Sequence, residues 1–107
     1  MPDTVRVAQS LLERLFAGDF ATAREAFDPN LRVAVSDVTL AETWNKISSL
    51  FGKPIRHSDT RTSKTISSNA HIIYLTWDFE KERLCARVVV DNANQIIGLS
   101  FEAPVIH

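Results

Sequence analysis

The order of patterns in this chain predicts an α+β fold, with three N-terminal helices packed on a curved, mainly antiparallel four-stranded sheet. Two observations predict it. Apolar residues recur at three- and four-residue spacing from Asp3 to about Phe51, and from Ile55 the period changes to two and holds to Val105-Ile106-His107. No internal repeat, linker or low-complexity segment interrupts either part. Helices and strands segregated in this way pack as helices across one face of an antiparallel sheet, here as a single domain over 1–107.

The first helix is capped by Asp3 or Thr4 and carries Val5, Ala8, Leu11, Leu12, Leu15 and Phe16 on one face. Gly18 stops it in a left-handed turn, and Asp19 caps the next helix at once, giving a tight helical hairpin. Phe20, Ala23, Ala26 and Phe27 form the second apolar stripe, ended by Asp28-Pro29-Asn30. Leu31 to Val35 alternates weakly and reads as a short extended piece. Thr39-Leu40-Ala41-Glu42 has the spacing of a capping box and opens the third helix, with Leu40, Trp44, Ile47, Leu50 and Phe51 on its apolar side. Gly52-Lys53-Pro54 stops that helix.

Ile55 to Ser68 is polar and rich in Thr and Ser, which suits an exposed or edge strand. His71 to Glu80, Arg83 to Asp91 and Gln95 to Ala103 are stronger strands. A two-residue turn at Lys81-Glu82 places Phe79 opposite Leu84, Trp77 opposite Ala86, Leu75 opposite Val88 and Ile73 opposite Val90. A four-residue turn from Asn92 to Gln95 continues that face, pairing Val90 with Ile97, Val88 with Leu99 and Ala86 with Phe101. This wholly apolar face is the one the helices cover. The opposite face is mixed: Ile72, Tyr74, Thr76, Asp78, Arg83, Cys85, Arg87, Val89, Gly98, Ser100 and Glu102.

Composition excludes several classes. Net charge is -1 with no basic stripe, so a nucleic acid has no electrostatic foothold. The one basic cluster, Arg56, Arg61 and Lys64, is interleaved with Asp59 and hydroxyl residues and reads as a solvated strand. The single cysteine forms no internal disulfide and cannot build a Cys-rich zinc site. The polar start MPDTVRVAQS lacks the features of a signal peptide, and no apolar run is long enough to cross a bilayer, so a cytoplasmic protein is expected.

The phrases LLERLFAGDFATAREAFDPNL and VVVDNANQIIGLSFEAP resemble the opening helical hairpin and closing β-hairpin of the nuclear transport factor 2-like, cystatin-like α+β cone superfamily. The third helix followed by Phe51-Gly52 resembles an uncharacterised subgroup often found ahead of α/β-hydrolase domains. The resemblance implies a cone-like domain from a group of isomerases, dehydratases, ligand-binding modules and dimerisation domains, among which fold alone does not choose.

Two readings of function follow. The first is a non-enzymatic module, a homodimer that binds a small apolar ligand or a protein partner. Its pocket candidates are Phe16, Phe20, Trp44, His71, Trp77 and Phe101, the aromatic residues on the covered side and one histidine at a strand start. Its dimer candidates are Ile72, Tyr74, Asp78, Arg87, Val89 and Ser100, an apolar centre with charged flanks on the mixed face. The second is a small cone-type isomerase, dehydratase or cyclase acting on an apolar substrate, which requires Asp37, His71 or Asp59 inside a pocket. Tyr74 and Asp78 share a face but lie about 13 Å apart along the strand, away from the covered side, and Asp78 reads as the cross-strand partner of Arg87. His57 and Asp59 share a hydrated edge, and His107 is terminal. Cys85, with Asp78 and Glu102 as expected neighbours, is a poor nucleophile. No metal or cofactor motif is present.

Overall fold

The chain is an α+β domain: helices, mostly N-terminal, and one antiparallel sheet in the order β1-β2-β3-β4. The computed structural model describes residues 3–64 and 70–102, and for Asp3, Ser63 and Lys64 the backbone only. The end of the expected first strand, Ala103 and the terminal His107 lie outside the described residues.

Helix α1 (Asp3–Phe16) buries the expected stripe, with Ala8, Leu11, Leu12 and Leu15 essentially inaccessible to solvent. It ends in a Schellman turn. Gly18, at φ 78°, donates to the Leu15 carbonyl at 3.1 Å and Asp19 donates to that of Arg14 at 2.8 Å. Helix α2 (Phe20–Arg24) follows directly, with Asp19 as its cap.

The helical region then departs from expectation. The segment read as a short extended piece is helix α3 (Pro29–Ala34), so the described residues form four helices rather than three. Asp28-Pro29 is a start signal rather than the end of the preceding helix. The Asp28 carboxylate accepts the Leu31 amide at 2.8 Å, and proline occupies the first turn, where its missing N–H costs nothing. Helix α4 (Asp37–Phe51) likewise begins before the expected box. Its cap is Ser36, whose hydroxyl accepts the Thr39 amide at 3.1 Å, so Thr39 is the bonded residue and not the capping one. Leu40 and Trp44 are buried on α4, but Leu50, read as core, is 58% exposed.

Arg24 ties these short pieces together. Its guanidinium donates to the Val35 carbonyl at 2.7 Å, the Arg32 carbonyl at 2.7 Å and the Asp37 carboxylate at 2.6 Å. One side chain thus satisfies the end of α3 and holds the first turn of α4 against it.

In the sheet, β1 (Pro54–Lys64), β2 (Ala70–Phe79), β3 (Arg83–Asp91) and β4 (Ile96–Glu102) are consecutive antiparallel neighbours. The β2–β3 pairing is shifted by two residues from the expected register. Asp78 faces Arg83, Trp77 faces Leu84, Leu75 faces Ala86 and Ile73 faces Val88. A shift of two preserves which residues share a face, so the apolar side is as expected while every partner changes. The cause lies in the turn. Glu80 and Lys81 donate their amides to the carbonyls of Lys53 and Phe51, at 3.0 and 2.9 Å, and Phe79 donates to the Glu82 carbonyl at 2.9 Å, so the two-residue turn sits at Glu80-Lys81, held against the end of α4, and not at Lys81-Glu82.

The β3–β4 pairing matches expectation at Val88–Leu99 and Ala86–Phe101, but Val90 faces Ile96 instead of Ile97. Asp91 closes a tight loop over Ala93 and Gln95 with its carboxylate, and Asn94 takes the left-handed conformation at φ 61°. Ile97 is squeezed out as a bulge. Strand β1 carries two irregularities, and the second one separates His57, opposite Trp77, from Asp59, opposite Thr76. The two therefore do not share a face.

Two apolar clusters fill the space between helices and sheet. The larger joins α1, Phe27, Leu40 and the centre of the sheet. The smaller is built on Trp44, Phe79 and Leu84. Phe16, Phe20, Trp77 and Phe101 pack against both. Among the described residues no helix is long and apolar enough to cross a membrane.

Candidate functional site

Helix α4 approaches the sheet mainly through Trp44, whose ring lies 6.1 Å from that of Phe79, 6.0 Å from Phe101 and 5.2 Å from Phe16. Because one large side chain props the helix, a cleft of about 370 Å³ is left beside it, between α3 and α4 on one side and β4 on the other. Leu15 and Phe27 form its back. Leu31, Val35, Leu40 and Ile47 form the helical wall, and Leu84, Leu99 and Phe101 the sheet wall. Thr39 and Thr43 supply hydroxyls from α4, and Thr43 is already committed to the Thr39 carbonyl at 2.9 Å.

The titratable groups lining the cleft among the described residues are Glu82 and Glu102, both exposed. Glu82 is placed by the turn that α4 captures. Gly52, at φ 82°, lets the chain leave the helix tightly against Glu80, where a Cβ would meet the Glu80 side chain at 2.7 Å. The Glu80 carboxylate in turn accepts the Lys53 amide at 2.8 Å. Glu102 is opposite Cys85, two residues into β3 from Arg83 and so at the same end of the sheet as Glu82.

Of the six pocket candidates, Trp44 and Phe101 line the cleft. Phe16, Phe20 and Trp77 stand behind it as half-buried packing, with Phe16 and Trp77 edge-to-face at 4.8 Å. His71 is half-buried opposite Val90 and Lys64, at the far end of β2 from Glu82, and does not line the cleft. Asp37 is bound to Arg24, and Asp59 pairs with Arg61 at 3.1 Å. His57 stacks on Trp77 at 5.5 Å. Leu31 and Val35 were missed as wall residues because α3 was read as extended. Glu82 was missed because a two-residue turn points it to solvent.

On the mixed face, the two-residue shift moves Asp78 away from Arg87. Asp78 instead accepts from Arg83 at 2.7 Å and from Arg56 at 3.2 Å, and Tyr74 faces Arg87. The Arg83 guanidinium, offset in part by burial and reinforced by Arg56, holds the Asp78 carboxyl below its ordinary 3.8. Cys85 is buried, 9% exposed, and faces Thr76 rather than Asp78. Burial first, and Glu102 more weakly, push its thiol up, while a bond with Thr76 pulls it down. Ile72, Tyr74, Asp78, Arg87 and Val89 are half-buried and Ser100 is exposed. Among the described residues no group of three His, Cys, Asp or Glu gathers closely enough to hold a metal ion.

An α+β domain with an open apolar cleft bordered by acidic residues is the class this geometry defines. The chain belongs to the family described as "Protein of unknown function (DUF3887)", whose model matches residues 8–99. No curated protein and no solved structure matches the chain.

Proposed function

We propose that this chain is a non-enzymatic binding module whose cleft takes a small apolar ligand. The observation that carries the reading is the cleft itself, about 370 Å³ of space walled by aliphatic and aromatic side chains. That volume falls at the lower end of the roughly 300–1,000 Å³ of small-molecule sites. The enzymatic alternative needs an acid or histidine beside bound substrate. Asp37 and Asp59 are paired with arginines, His71 does not line the cleft, and the carboxylates that do line it are exposed.

Titration with decan-1-ol, followed by tryptophan fluorescence, tests the reading, because Trp44 lines the cleft and Trp77 packs directly behind it. The expected result is a saturable change in the wild-type chain that is lost in Thr43→Phe, which fills the cleft from an exposed helix position. A saturable change that survives Thr43→Phe would place the alcohol elsewhere and remove the reading.

The proposal extends to a homodimer through the outer sheet face. Its support is the pairing of Ile72 with Val89 next to Tyr74 and Arg87, with the Arg56–Asp78–Arg83 ion pairs six residues further along β2, an apolar patch with charged groups towards the other end of the face. Tyr74→Glu should then shift sedimentation from dimer to monomer, and a wild-type monomer at high micromolar concentration excludes the dimer. Membership of the nuclear transport factor 2-like superfamily and a cytoplasmic location belong to the same proposal. The first rests on helices laid over one antiparallel sheet, and the second on the lone, buried cysteine.

A further inference from the structure

We infer that the ligand carries a cationic head, an amine or ammonium group, on its apolar body, an inference that rests on the cleft reading above. The cleft is electrostatically one-sided. Among the described residues, no lysine, arginine or histidine lines it, while Glu82 and Glu102 do. Both acids stand at the same end of the sheet, one in the β2–β3 turn and the other at the end of β4. Neither side chain is in an ion pair among the described residues, although Asp19, Asp37, Asp59 and Asp78 all are.

The same end receives the C-terminus of α4. Phe51 lines the cleft, and its carbonyl is bonded to Lys81, next to Glu82. A fifteen-residue helix presents a partial negative charge at that end. Two carboxylates and a helix C-terminus thus border the same end of the cleft, Glu102 from the outer face of the edge strand β4 beside Cys85, and all three favour a positive charge. The opposite end, at Phe27, Leu31 and Leu99, is apolar. A ligand is therefore oriented with its tail towards α3 and its head at Glu82 and Glu102. A fatty acid, with a carboxylate in that place, is selected against.

Three probes of one chain length separate the possibilities: decylamine, protonated at pH 7, decan-1-ol and decanoate, each below its micelle concentration. Calorimetric titration should order them amine, alcohol, acid. The amine should bind roughly fivefold tighter than the alcohol, the scale of two exposed charge contacts. Sodium chloride at about 1 M should compress that ratio, since screening acts over about 3 Å there. The Glu82→Gln, Glu102→Gln double variant should bring the amine-to-alcohol ratio near one. Equal binding of amine and alcohol, or a preference that persists in the double variant, overturns the inference and leaves the apolar cleft standing. Failure of all three probes to bind removes the cleft reading and the inference with it.

Discussion

At the scale of single residues, Asp78 and Ser36 do more than their positions in the sequence suggest. Asp78 joins β1 to the β2–β3 hairpin by accepting from Arg56 and Arg83, and its carboxyl is held below 3.8 chiefly by the Arg83 bond. A depressed carboxylate contributes stability that is present above its unfolded value and is lost as pH falls through the lower folded value. Asp78→Asn should therefore lower the urea midpoint at pH 7, and the gap from wild type should narrow below about pH 3.8. Equal gaps at pH 7 and pH 2.5 would show that the asparagine perturbs packing and not charge. Ser36 is the residue that closes the start of α4. Ser36→Ala should cost about 1 kcal/mol in thermal or chemical unfolding, because the Thr39 amide loses its acceptor. Thr39→Ala keeps that bond intact and should cost less than about 0.5 kcal/mol. The reverse ranking would return the cap to Thr39.

At the scale of elements, the sequence made the types of the long segments legible and left the short connections hidden. The apolar stripe of α1, the two faces of β2 and β3, and those of β4 beyond its bulge at Ile97 follow from periodicity, because burial enforces it along each element. What failed has a common physical origin in contacts between segments distant in sequence. The β2–β3 register depends on the amides of Glu80 and Lys81 being drawn to the end of α4, which no local turn preference records. Helix α3 spans only six residues, too few to show a stripe, although Asp28-Pro29 signals its start. In the cleft, Trp44 and Phe101 were legible as aromatic residues on the covered side. Leu31 and Val35 were not, since their orientation depends on α3 being helical. The Arg24 contacts are what keep so short a helix in place. Arg24→Lys retains the charge but cannot fork to Val35, Arg32 and Asp37 together, and should cost roughly 1–2 kcal/mol in urea unfolding. A loss no larger than that of an ordinary surface substitution would mean that α3 is held by its apolar contacts alone.

At the scale of the whole molecule, the central feature is incomplete packing between helices and sheet. Core side chains such as Ile73, Val88, Val90 and Ile96 have no accessible surface, so the protein packs densely where it can. Beside α4 it does not, and the space left is apolar within and acidic at its mouth. The most direct measurement is methyl-labelled NMR of the protein with decan-1-ol, reading intermolecular contacts between ligand protons and assigned methyl groups. The account predicts contacts to Leu40, Ile47, Leu84 and Leu99, which line the cleft, and none to the exposed Val33 and Val38 or to the sealed Ile73 and Val88. Contacts confined to Val33 and Val38, or none at any methyl at saturating alcohol, would contradict it.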